Sequence, residues 1–149
     1  MVLQKATVND HEILTVITKK SKAYWGYSDA QIEIWLDALT ITKAYVEVNQ
    51  VYKLVIDTEI IGYYAFIHES GQAIKLDNLF VLPEYIGKGF GRLLMDDFLA
   101  RIPYTGAKMV VLESEPNAEN FYAKFGFVKT GRVETSITGR YLPVMLLSL

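Results

Sequence analysis

The sequence predicts an α+β fold, a mixed and mostly antiparallel twisted sheet flanked by helices. Three observations carry this expectation. Two segments near the N-terminus repeat their apolar residues at helical spacing. Residues 44–82 hold extended segments separated only by short turns, which join antiparallel neighbours. After Pro83 a glycine-rich loop opens an amphipathic segment and an apolar strand follows, the pattern of a βαβ unit.

Residues 2–7 read as a short first strand. Asn9 with Glu12 has the form of a capping box, opening a helix whose apolar face is Ile13, Val16 and Ile17. Ser28 and Gln31 repeat that form for a second helix, striped by Ile32, Trp35, Leu36 and Leu39. Residues 44–48 then read as a strand that turns at Asn49-Gln50 into residues 51–56. Residues 57–59 turn into 60–68, and Ser70-Gly71 turns into 73–82. Phe90, Leu93, Leu94 and Phe98 share one face of a helix over 89–101. Met109, Val110, Val111 and Leu112 form an unbroken apolar run in a strand over 108–114, as expected for burial on both faces in a parallel pair. Residues 118–125 form a short helix with Gly126 as its C-cap, and 127–130 and 141–147 are closing strands. With no repeat, linker or low-complexity stretch, residues 1–149 are expected to form one domain.

Half of the residues are hydrophobic, which excludes a disordered chain. The net charge is −2 and the basic residues are scattered, so no electrostatic footprint for nucleic acid is present. The absence of cysteine excludes disulfides, thiolate metal sites and a cysteine nucleophile. His11 and His68 are the only histidines, and no metal is expected. Residues 1–6 carry no signal-peptide core and no apolar run reaches membrane-spanning length, so the expectation is a soluble cytoplasmic protein without membrane contact.

The most informative stretch is Val81-Leu82-Pro83-Glu84-Tyr85-Ile86-Gly87-Lys88-Gly89-Phe90-Gly91-Arg92. A strand running through glycines into a helix aims unpaired N–H groups and the positive helix end at one point, which suits a pyrophosphate. Lys88 and Arg92 add charge at the rim. The P-loop spacing is absent, and glycines at 87, 89 and 91 do not fit the dinucleotide fingerprint. On spacing alone, a tight strand-to-helix turn without a ligand is the competing explanation.

This stretch resembles the acetyl-CoA motif of the GCN5-related N-acetyltransferases (GNAT), Arg/Gln-x-x-Gly-x-Gly/Ala after a strand ending in Val-x-Pro. Val81, Pro83, Gly89 and Gly91 stand in place, while Ile86 replaces the Arg or Gln. Residues 115–127 are similar to a second family hallmark, Asn/Asp-Pro-x-Ala-x-x-Phe/Leu-Tyr-x-x-x-Gly-Phe, through Pro116, Asn117, Ala118, Phe121, Tyr122, Gly126 and Phe127. Element order matches across almost the whole chain.

The resemblance implies a GNAT-like fold in which the βαβ unit forms a CoA cleft between the splayed fourth and fifth core strands. It implies direct acetyl transfer from acetyl-CoA to a small-molecule or peptide amine in a ternary complex. Phe80, Val81 and Leu82 would supply a backbone N–H for the thioester oxygen, and Gly87, Lys88, Gly89, Phe90, Gly91 and Arg92 would hold the phosphates. Tyr122 stands at the general-acid position; its alternative role is core packing with Phe121 and Phe125. Asn117 is either a pantetheine ligand or a helix cap, Glu115 occupying the place of the usual CoA-contacting Asn. Lys75 aligns with the best-known family base, which leaves the base to Asp77, Glu113 or water. Tyr24, Trp25 and Tyr27 would wall the acceptor site, offering aromatic faces to a cationic amine, against the alternative of core packing. Arg140 would either bind an acidic acceptor group or be an ordinary loop charge, the second being preferred, and a homodimer is one arrangement open to such a chain. The second hypothesis is a non-catalytic acyl-CoA sensor on the same fold.

Overall fold

The computed structural model describes residues 1–149, which divide into two compact units, Met1–Phe66 with Asn78–Arg101 and Ile67–Asp77 with Ile102–Leu149. The first unit holds strands β1 (Val2–Lys5) and β2 (Gln50–Ile56), and helices α1 (His11–Tyr24), α2 (Asp29–Ile34), α3 (Leu36–Leu39), α4 (Lys43–Val48) and α5 (Phe90–Arg101). It shares β3 (Glu59–Ser70) and β4 (Ala73–Val81) with the second unit, which adds β5 (Met109–Glu113), α6 (Glu119–Ala123), β6 (Val128–Glu134) and β7 (Tyr141–Ser148). The strands hydrogen-bond in the order β1-β2-β3-β4-β5-β7-β6, and only β4 and β5 run parallel among the registered pairs. This is the mixed α+β sheet expected from the turn spacing and the βαβ pattern.

In the first unit, β2 and β3 meet at a two-residue turn, Asp57-Thr58, with φ of 47° and 70°. Both values lie in the left-handed region, as a tight hairpin turn that matches strand twist requires. The core gathers Leu14 and Ile17 of α1, Leu54, Ile61, Tyr63 and Tyr64 of the strands, and Leu94, Met95 and Phe98 of α5, none of them exposed. Each such apolar side chain contributes about 1.5–3 kcal/mol by leaving water. The Tyr64 hydroxyl donates to Asp97 at 2.6 Å, and Arg101 Nε donates to both at 3.0 and 2.9 Å, so the buried phenol end is satisfied.

Three local expectations need correction. Residues 44–48 form helix α4 rather than a strand, because the Thr42 side chain accepts the Tyr45 N–H at 3.0 Å and starts a helical turn that the β-branched residues do not override. The first capping box is Thr7 with Asp10, not Asn9 with Glu12: the Asp10 carboxylate accepts the Thr7 N–H at 2.8 Å. The buried stripe of α1 is Leu14, Ile17, Thr18 and Ser21, while Ile13 and Val16 face outward. The Ser28 cap stands as expected, accepting the Gln31 N–H at 3.1 Å, although the helix it opens is interrupted at Trp35.

In the second unit, β4 pairs with β5 through Ala73↔Met109, Ile74↔Val110 and Lys75↔Val111. The ladder ends there, although β4 continues to Leu76 and Asp77 and β5 to Leu112 and Glu113. On β5 the burial alternates: Val110 and Leu112 are buried, Met109 and Val111 half-buried. No helix of the structure is long and apolar enough to cross a membrane.

Candidate active site

The glycine loop lies in the first unit. Gly87 and Gly89 have φ of +80° and +87°, and a Cβ at either would meet nothing within 4 Å. Glycine is therefore required by backbone conformation, and the surface it leaves is open to a ligand. Gly89 C=O accepts the Leu93 N–H at 3.1 Å, so α5 begins at the loop and its first-turn N–H groups have no intrahelical acceptor. Lys88 and Arg92 are exposed there; Lys88 lies 5.9 Å from the Tyr85 ring centre and Arg92 makes a loose pair with Asp96 at 3.9 Å. A dipole end, first-turn N–H groups without intrahelical acceptors and two exposed cations fit an anionic diphosphate.

Just upstream, the Leu82 N–H donates to Ile61 O at 2.8 Å, so it is not available to a substrate oxygen. Alternation along a strand turns the Val81 N–H to the opposite edge of β4. The Val81 carbonyl on that edge accepts the Ser21 hydroxyl at 2.6 Å.

In the second unit, Tyr122 sits on α6 with its half-buried ring edge-on to Phe121 at 5.1 Å and to Phe127 at 6.0 Å. Burial alone pushes its phenol well above the ordinary value of 10, so it remains protonated at neutral pH. Pro116–Ala118 forms a single 3-10 turn before α6. Asn117 does not cap it; its amide donates to Glu115 Oε1 at 2.9 Å while Arg140 holds Oε2 at 2.9 Å. Glu113 faces Lys75 at 4.0 Å, and Asp77 is half-buried on β4.

Residues 23–142 match the family model described as an acetyltransferase (GNAT) domain, well over half of the chain. The chain belongs to the GNAT family. It is 36% identical over 70 residues to the peptidyl-lysine N-acetyltransferase YjaB of Salmonella typhimurium, covering 47% of each protein. It is 32% identical over 91 residues to the [ribosomal protein bS18]-alanine N-acetyltransferase of Haemophilus influenzae, covering 61% of this chain and 60% of that protein. The matched segment thus spans about half the length of the first of these relatives. Among solved structures, the fold is similar to the PaiA N-acetyltransferase of Thermoplasma acidophilum in complex with coenzyme A, with TM-score 0.81, 20% identity and coverage of 99% and 98%. It is also similar to a GCN5-related N-acetyltransferase from Rhodopseudomonas palustris, with TM-score 0.80, 24% identity and coverage of 99% and 95%.

Within this GNAT chain the expected acceptor aromatics separate. Tyr24 and Trp25 pack edge-on at 5.1 Å and are 51% and 41% exposed, so Trp25 is no core residue. Tyr27 packs edge-on against Trp35 at 4.9 Å. Arg140 is not a loop charge but part of a largely buried ion pair with Glu115. Two residues beside Val81 carry no functional mark in the sequence: Ser21, which donates to its carbonyl, and Gly62, where a Cβ would stand 2.9 Å from Phe80 O. The one available signal for Ser21 was its spacing of seven from Leu14, which places it on the buried stripe of α1.

Proposed function

We propose that this GNAT chain, acting as one domain over residues 1–149, transfers an acetyl group from acetyl-CoA to a primary amine. The observation that carries the proposal is the pair of left-handed glycines, with open space at each missing Cβ, leading into the unpaired N–H groups of α5. Gly87 through Arg92 would bind the pyrophosphate. The end of the parallel ladder at Lys75↔Val111 leaves Leu76, Asp77, Leu112 and Glu113 outside any β4–β5 pair, in keeping with strands that part to admit pantetheine. The role of Asn117 is then indirect, since its amide is engaged by Glu115.

The amine nitrogen attacks the thioester carbon; the C–N bond forms and the C–S bond breaks. The Val81 N–H stabilises the negative charge that develops on the carbonyl oxygen. Asp77, directly or through a water, takes the proton lost by the amine. Glu113, which faces Lys75 at 4.0 Å, is the alternative base. Tyr122 gives its proton to the departing thiolate. Tyr24 and Trp25 offer exposed ring faces to a cationic acceptor, while Tyr27 packs on Trp35. Two relatives are named for amines carried on polypeptides, which favours a peptide-borne acceptor.

A second reading, an acyl-CoA sensor without turnover, draws on Ile86 in place of the motif's Arg or Gln. Thermal unfolding with acetyl-CoA, CoA, ATP and NAD tests the shared binding step. A ligand at a hundred times its dissociation constant stabilises a fold by about 2.7 kcal/mol, a rise of several degrees here. A rise with the CoA compounds alone is expected; a larger one with ATP or NAD rejects both readings.

A further inference from the structure

We propose that Ser21 and Gly62 are positioning residues that aim the Val81 N–H at the thioester oxygen; this rests on the acetyltransferase function proposed above. Helical hydroxyls ordinarily donate back to a carbonyl one turn earlier. On α1, Thr15 does so to His11 at 3.0 Å and Thr18 to Leu14 at 2.8 Å. Ser21 instead crosses to β4 and donates to Val81 O at 2.6 Å, sixty positions along the chain. Ser21 and Val81 are 4% and 7% exposed, so water competes poorly for this bond.

The peptide joining Val81 to Leu82 is therefore held at both ends, by Ser21 on its carbonyl and by Ile61 O on its N–H at 2.8 Å. The preceding peptide is set by a close approach. A Cβ on Gly62 would stand 2.9 Å from Phe80 O, a contact real Cβ atoms do not make, so β3 and β4 come this near only with glycine at 62. With the Phe80 carbonyl turned toward β3, the trans peptide points the Val81 N–H away from β3. A donor fixed before reaction needs no reorganisation when charge develops, which is the source of oxyanion stabilisation.

The test is the infrared carbonyl stretch of acetyl-CoA labelled with carbon-13 at the thioester, recorded bound to the wild type, Ser21→Ala, Ser21→Cys and Thr18→Ala, with the dissociation constant measured alongside. A hydrogen bond from Val81 lowers the stretch below that of free acetyl-CoA. Ser21→Ala is expected to return the band toward the free value with affinity within about twofold, since the phosphate contacts are untouched. Ser21→Cys, a weaker donor of similar shape, is expected to fall between. Thr18→Ala removes a buried hydroxyl whose hydrogen-bond partners are Leu14 O and the Tyr63 hydroxyl and not the Val81 carbonyl, and is expected to leave the band in place even where it lowers stability. Identical bands for wild type and Ser21→Ala, or an equal shift in Thr18→Ala, overturn the positioning role while acetyl-CoA binding stands. Failure of the wild type to bind acetyl-CoA overturns the proposed function and the positioning role together.

Discussion

Arg140 reaches the Glu115 carboxylate at 2.9 Å, and both side chains are largely buried, 13% and 10% exposed. The pair ties the residue before β7 to the turn that leads into α6 and Tyr122. Removing one partner takes this ion pair away from a largely buried charge. Arg140→Ala is expected to cost about 2–3 kcal/mol in denaturant unfolding. The Arg140→Ala, Glu115→Ala double variant should cost less than the sum of the singles. A single-variant loss below about 0.5 kcal/mol would make the pair incidental, in the range of exposed pairs.

Tyr122→Phe separates the two roles of that ring. The aromatic contacts to Phe121 and Phe127 survive, and no hydrogen bond contributes to the raised phenol value, so stability at neutral pH should change little. Turnover should fall by about a hundredfold or more, the usual worth of a general acid, with acetyl-CoA affinity unchanged. The linkage sign is also fixed. A phenol raised by folding contributes stability that is whole below pH 10 and lost as pH rises through the folded value. Tyr122→Phe should therefore flatten the alkaline limb of the stability profile. Equal losses of turnover and binding would mark the ring as structural.

Gly89→Ala tests the phosphate cradle. No atom lies near the added methyl, so the cost is conformational, about 1–2 kcal/mol for a left-handed non-glycine residue. The protein should fold, and acetyl-CoA affinity measured by calorimetry should drop by tenfold or more. Unchanged affinity would remove the glycine loop from the site.

Asp10 anchors the acid limb. Burial alone would raise its carboxyl, but hydrogen bonds from Lys53 and Thr7 and the charge of Lys53 outweigh it and hold the value below 3.8. Lys53 Nζ lies 2.7 Å away. A lowered carboxyl contributes stability present above the unfolded value and lost as pH falls through the folded one. Asp10→Asn should lower the melting temperature at pH 7 by several degrees and leave it nearly unchanged near pH 2.

The parts legible from sequence were those written in local spacing. The Ser28 cap and the β4–α5–β5 crossover follow from short-range periodicity and turn chemistry; of the expected α5 stripe, Leu94 and Phe98 are buried, with Met95 beside them, while Phe90 and Leu93 are only half-buried. The helix Lys43–Val48 was misread because Tyr45, Val46 and Val48 favour strands, while the deciding bond is a single Thr42 cap. The site divides in the same way. Gly87 and Gly89 announce a special backbone, and their φ values require it. Ser21 to Val81, Glu115 to Arg140 and the approach at Gly62 join residues far apart in the chain, and no local pattern encodes such pairs.

The decisive measurement is release of free CoA thiol from acetyl-CoA, followed with and without lysine-containing and N-terminal alanine peptides and a polyamine. Acetyltransferase function predicts thiol release that depends on the amine and saturates in acetyl-CoA. Stable acetyl-CoA binding with no amine-dependent release from any acceptor would contradict it and leave the sensor in its place.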